Sequence, residues 1–355
     1  MGSIKRALLI FGWVAGTLSA SSIFSFPAAA SGSGSLPTGP TPQYISTSGS
    51  DTTGDGSQSA PWATLAKALS QIPQTVNQDY VVNVAAGTYA EGACFTRFTS
   101  LGSYSITITG DVTTPANVTF TGTCAAILPV TYSVVSTSTT YGALAVGPIN
   151  VVLQGIKINV TAGYGILAFR GAVITIDRDT VTGNTTFGVL ASQGGTAYLT
   201  GNVTVQGFVY VGVAAWFNSS GIISGSGTVT IAGSGAGSSG MLASSSSHIT
   251  VFANNVALVI SNVQFGVGAS LASIWQDFGT SGGTISITNS STPSNSAVFN
   301  GTDNSSISTN SPVTATNFTN SCLINSITYC EMSSTRTFTN IGGANTSQNS
   351  VAFLP

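Results

Sequence analysis

The chain has 355 residues, of which 42% are hydrophobic and only 5% charged, with 42 glycines and a formal net charge of −2. Eight basic residues spread over that length exclude a nucleic-acid partner, whose recognition needs clustered lysine and arginine. The apolar content, arranged in regular runs, excludes a largely disordered chain, and solubility falls to Ser, Thr, Asn and Gly rather than to ionic groups.

Residues 1–30 read as an export signal. Lys5 and Arg6 form a basic start, Ala7 to Ala20 an apolar core, and Ala28-Ala29-Ala30 a small-residue cleavage site before Ser31. Its removal leaves six basic against ten acidic residues. No later run is long and apolar enough to span a bilayer, so the expected location is secreted, periplasmic or cell-surface. Residues 31–42, rich in Gly, Ser and Pro, form a flexible leader. A single domain is expected over 43–340, with a loose tail at 341–355.

Tyr44-Ile45-Ser46 reads as a short strand and Gly49 to Ser57 as a turn-rich loop. Pro61 suits the first turn of a helix near 61–70, with Ser59 as its cap and Trp62, Leu65 and Leu69 on one face. A helix with one apolar face ahead of a repeating domain serves best as a cap over its open end. Asp51 and Asp55 lack the alternating spacing of a calcium loop and are read as turn makers.

Tyr44 to Asp51, Gly54-Asp55-Gly56-Ser57, Pro61-Trp62 through Leu69, and Val82-Asn83-Val84 through Gly87-Thr88-Tyr89-Ala90-Glu91 together resemble the N-terminal signature of the pectin lyase-like, right-handed parallel β-helix superfamily. That resemblance implies a parallel β-helix and a history of contact with polysaccharides or phage tails. A fold of this breadth does not fix an activity.

Four cysteines in an exported chain suggest disulfides, with three pairings open. Cys94 and Cys124 lie one long coil apart, and adjacent rungs of a parallel sheet are close enough to bridge. Cys322 and Cys330 flank a short loop, so two local pairs are expected.

From Tyr141 one short phrase recurs six times: Tyr141-Gly142-Ala143-Leu144-Ala145, then copies around Gly165, Gly188, Gly212, Gly240 and Gly266, at steps of 23, 23, 24, 28 and 26 residues. Between the copies lie short β-branched runs such as Val173 to Ile176 and Val203 to Val205, bounded by turn formers. A constant period of this size marks a stacked-repeat architecture. The expected fold is therefore all-β: a single-stranded right-handed parallel β-helix, or solenoid, with a short N-terminal capping helix. Further strands are expected at Ile285 to Thr288 and Ala297 to Phe299.

Two places offer chemistry. Lys157, Arg170, Asp177 and Asp179 form the only concentration of charge, and the 23-residue period maps Asp179 and Thr180 onto Ile156 and Lys157, which sets Lys157 on the rung neighbouring Asp179. In a lyase of the resembled superfamily such residues would serve with calcium, which neutralises a uronate carboxylate while a base takes the neighbouring proton. No second carboxylate pair or zinc spacing accompanies them, and the single histidine, His248, opens a strand at a position expected to be solvated. The second place is the file after each phrase: Phe169-Arg170, Ser192-Gln193, Trp216-Phe217, Ser244-Ser245 and Ser270-Leu271. One member of each pair must face outward, and Phe169, Gln193, Trp216, Phe217 and, just beyond, Trp275 are the expected contacts to a sugar face and its hydroxyls. The function expected is a secreted or cell-surface protein that holds a polysaccharide or cell-envelope glycan along the solenoid side. A calcium-assisted lyase on acidic glycans and an adhesive rod without a specific ligand are the rivals.

Overall fold

The computed structural model describes residues 41–125, 140–183, 185–252, 255–278, 283–290, 294–325, 329–332, 336–341, 345–347 and 351–353. The export signal and most of the leader lie outside these residues. The chain winds as a right-handed parallel β-solenoid of about nine turns. One turn shows the plan. Tyr164–Phe169 runs in sheet I, Val173–Asp177 in sheet II, and Thr180–Thr182 in sheet III. Through the repeated phrase, strands of sheet I pair in parallel with their counterparts 23 to 28 residues on: Tyr164 with Phe187, Phe187 with Val211, and Val211 with Ser239. Sheet II has twelve strands among the described residues.

The side-chain pattern follows from the period-two geometry of strands. In sheet II Ile174 and Ile176 point inward and Val173, Thr175 and Asp177 outward; in sheet III Val181 points inward between Thr180 and Thr182. Stacked Val, Ile and Ala fill the bore of the coil. Sheet I differs, because both of its faces are buried in the turns that hold Tyr164–Phe169, Phe187–Ser192 and Val211–Trp216. Ile166 and Ala168 belong to the bore, whereas Tyr164, Leu167 and Phe169 belong to a second apolar cluster on the outside. There the rings of Tyr141, Tyr164 and Phe187 stack at 5.3 and 5.1 Å, contacts worth about 0.5–1.5 kcal/mol each beyond simple burial.

The repeated glycine has a steric cause. A Cβ on Gly165 would lie 2.4 Å from the carbonyl oxygen of Gly188 and equally close to Val181. The same seam continues through Gly212, Gly240 and Gly266, each facing the carbonyl of the next turn, and ends at Val298. The longer 28-residue turn keeps this seam by placing its extra residues around Gly233 to Ser238, where the strand Gly227–Ser244 shifts register against its neighbour.

At the N-terminal end the strand Gln43–Ile45 opens sheet II, and the helix α1 spans Leu65–Ser70. Its cap is Thr64, whose Oγ1 accepts from the Lys67 N–H at 3.0 Å; Ser59 is not the cap. The start is displaced because Trp62 pairs with Ile45 as a β-bridge and the Asp51 carboxylate accepts from the N–H groups of Ala63 and Thr64. Glu91 adds a second carboxylate, accepting from Leu65 and Ala66 at 2.6 and 3.0 Å, where the exposed N–H groups of a first turn favour negative charge. Asp55 accepts from the Ser57 N–H at 2.8 Å and closes its own turn. Leu65, Ala68 and Leu69 are buried in the bore cluster.

Cys94 and Cys124 form a disulfide, as expected. Cys322 and Cys330 do not: both are free thiols, fully buried in the bore. They share a hydrogen bond, and this contact together with burial pushes the Cys322 thiol far up. Short strands at Asn345–Ser347 and Val351–Phe353 pair with Leu323–Asn325 and Tyr329–Glu331, inside the segment expected to be a loose tail.

Candidate functional site

Between sheets I and II six successive turns make the same sharp corner, and the corner uses two consecutive left-handed residues. The pairs are Arg170-Gly171, Gln193-Gly194, Phe217-Asn218, Ser245-Ser246, Leu271-Ala272 and Asp303-Asn304, with φ between 51° and 82°. Left-handed backbone costs a non-glycine residue about 1–2 kcal/mol; Phe and Leu are seldom found there. The corner persists because hydrogen bonds from one turn to the next overdetermine it.

Two ladders do this. The second left-handed N–H donates to the first left-handed carbonyl of the next turn: Gly194 to Phe217, Asn218 to Ser245, Ser246 to Leu271, and Ala272 to Asp303, at 2.8–3.2 Å. Beneath them runs a buried serine ladder. Gly194 N–H donates to Ser219 Oγ at 3.0 Å, Ser219 N–H to Ser247 Oγ at 3.1 Å, and Ser247 N–H to Ser273 Oγ at 3.1 Å. Each hydroxyl donates in turn to the carbonyl of the first left-handed residue of its own corner, at 3.4–3.5 Å. Nothing in the composition marked these serines; their signal is a Ser recurring at the third corner position from Ser219 to Ser305.

The corners stack into a ledge along the solenoid. A groove of about 700 Å³ lies along it, lined by Gln193, Gly194, Phe217, Asn218, Ser245, Ser246 and Leu271. Arg170 extends the ledge at one end, its Nε donating to Gln193 Oε1 at 3.5 Å and its guanidinium lying 5.2 Å from the Phe169 ring centroid. Asp303 stands at the other end, and the corner residues between are uncharged. The ledge is therefore an apolar ring and an exposed Leu side chain among amides and hydroxyls.

The expected sugar contacts divide accordingly. Gln193 and Phe217 line the groove. Phe169 and Trp216 are in the predicted file, since Phe169, Ser192, Trp216, Ser244 and Ser270 follow one another in register. Their rings are nevertheless buried, 2% and 9% exposed, in the outer cluster of sheet I beneath the ledge. Trp275 is fully buried in the bore, in register with Ile249 and Ile307, and cannot touch a ligand.

The expected charge cluster is not assembled. Lys157 does pair with Thr180. Arg170, however, precedes the strand Val173–Asp177 and Asp177 ends it, so a five-residue strand of about 17 Å separates them. Asp177 is engaged at the opposite corner, 2.7 Å from Arg178 Nη2 and accepting from Gln154 Nε2 at 2.7 Å. Asp179 turns inward: it is 1% exposed and accepts from the Ile156 N–H at 2.7 Å. Burial holds its carboxyl well above the usual range, and that one backbone bond only partly offsets the effect. A carboxyl buried in the wall of the coil and an ion pair at the opposite corner do not make a base beside a calcium cradle. Among the described residues no three His, Cys, Asp or Glu side chains gather as metal ligands, and no helix is long and apolar enough to cross a membrane. His248 stands exposed at the start of its strand.

The chain matches no protein-family model, no curated protein and no solved structure.

Proposed function

We propose that this is an exported, extracellular or cell-surface protein that binds a polysaccharide along the ledge between sheets I and II, without turning it over. The observation that carries this is the groove of about 700 Å³ in which Phe217 and Leu271 lie among Gln193, Asn218, Ser245 and Ser246. Apolar faces with convergent amides and hydroxyls are what a sugar ring and its hydroxyls require. The left-handed ledge supports the same reading, because costly backbone persists where a surface has a use for it. The strand spacing of about 4.8 Å lets an extended glycan meet one corner after another. Arg170 at one end would favour an acidic group there.

Retardation in native gels containing a panel of acidic and neutral polysaccharides tests the proposal. The wild type is expected to be slowed by at least one, and Phe217→Ala and Asn218→Ala to restore mobility while the chain stays folded. Release of unsaturated uronate, followed by ultraviolet absorbance with calcium or with chelator, would overturn the absence of turnover. Unretarded wild type across the panel would leave the adhesive rod.

A further inference from the structure

A second groove lies at the N-terminal end of sheet II, on the edge of the sheet away from the ledge. Its volume is about 500 Å³, within the range of small-molecule sites (roughly 300–1,000 Å³). Its floor is one file of the sheet: Tyr44 pairs with Asn83, and Asn83 with Thr109, on three adjacent parallel strands. Each side chain points out of the bore, because Ile45, Val84 and Ile108 beside them point in. The rim comes from the loop before α1, which contributes Ser46, Gln58 and Ser59.

The chemistry of the lining narrows the ligand. No lining residue carries a charge, so neither a carboxylate, a phosphate nor an amine would find a counter-ion. The strand edge is also closed to an added peptide. Tyr44 N–H donates to Gly56 at 2.9 Å, Trp62 N–H donates to the Tyr44 carbonyl at 3.0 Å, and Ser46 N–H donates to the Trp62 carbonyl at 2.9 Å. An aromatic ring remains, with two carboxamides that can each donate and accept, and hydroxyls from Thr109 and three serines. A ligand dense in hydroxyls with one apolar face satisfies all of them together.

We infer that this groove is a second saccharide site, specific for neutral sugars, with a ring resting on Tyr44 and its hydroxyls held by Asn83, Gln58 and Thr109. The site is independent of the ledge: it lies at the other edge of sheet II and shares no residue with it.

The test uses the full exported chain in gels containing hydroxyethyl cellulose, glucomannan, laminarin or polygalacturonate, with dissociation constants taken from the retardation. At least one of the three neutral glycans is expected to bind, and Tyr44→Ala and Asn83→Ala are each expected to weaken it at least tenfold. Phe217→Ala should leave that binding within twofold, and the two groove variants should leave any polygalacturonate binding unchanged. Gln58→Ala lies on an exposed loop and keeps the result readable should Tyr44→Ala fail to fold; at least a threefold loss is expected. Neutral-glycan binding that survives Tyr44→Ala, Asn83→Ala and Gln58→Ala overturns the inference, as does a wild type that none of the three neutral glycans retards. Loss only in Phe217→Ala would assign the neutral glycan to the ledge and also overturn it.

Discussion

A Cβ placed on Gly188 would lie 2.7 Å from the carbonyl oxygen of Gly212 and 2.2 Å from a methyl of Val205. The first neighbour is backbone locked in a sheet and cannot step aside. Gly188→Ala should therefore cost about 2–3 kcal/mol, the scale of overpacking in a close-packed core. Gly171 is the contrast, with φ of 82° and nothing within 4 Å of an added Cβ. Gly171→Ala should cost only about 1 kcal/mol, from left-handed strain. Urea midpoints of the two variants check the order; equal losses would show that the seam is not what requires the repeated glycine.

Asp179 should make stability fall as pH rises. Its folded-state pKa is raised by burial, so the neutral acid is the form the fold prefers. The contribution is fully present below the unfolded pKa near 4 and is lost as pH climbs from there towards the raised folded value. Asp179→Asn keeps the acceptor for Ile156 and removes the proton from the balance. The variant should show a flatter dependence of melting temperature on pH between 4 and 8, gaining on the wild type as pH rises. Parallel curves would mean that Asp179 does not titrate with folding.

The serine ladder predicts a local loss without a change of surface. Ser247→Ala removes the acceptor of the Ser219 N–H and the donor to the Ser245 carbonyl, in a position with no exposure. The expected cost is about 1–3 kcal/mol, the penalty of an unpaired buried polar group. Hydrogen exchange at the Ser219 and Ser247 amides should accelerate ahead of those in sheet III. Uniform exchange across the turn would contradict it.

Joint replacement of Cys94 and Cys124 by Ser opens a link 30 residues apart. A loop of this length contributes roughly 3–4 kcal/mol in the chain-entropy account. The melting temperature of the reduced wild type should match that of the double variant; a drop confined to the variant would point to lost packing instead.

The solenoid was legible because its cause is steric and periodic. A seam that forbids a Cβ leaves glycine at the same place in each turn, and the flanking Tyr, Leu and Ala make that place visible. The file from Phe169 to Ser270 followed from the same period. What alternation could not supply was the state of the outer face of sheet I, where Phe169 and Trp216 point out of the bore and are still covered. Asp179 faces inward for a local reason. Arg178 adopts φ of 55°, which breaks the two-residue alternation and turns the next side chain inward. Trp275 lies just past the ledge in sequence, but a new strand of sheet II begins at Ile274, and its first inward position, Trp275, belongs to the bore. The serine ladder is hidden in the sequence because the first two corners use Gly171-Ala172 and Gly194-Gly195, and because serine is common throughout the chain.

Because extra residues in the 28-residue turn spill out near Gly235 while the seam passes undisturbed, each winding answers only to the windings on either side of it. A gene that copied or dropped one winding would lengthen or shorten the shaft, and the run of binding steps along it, without any other part needing repair. Reach in such a molecule is set by how many times one sentence is spoken.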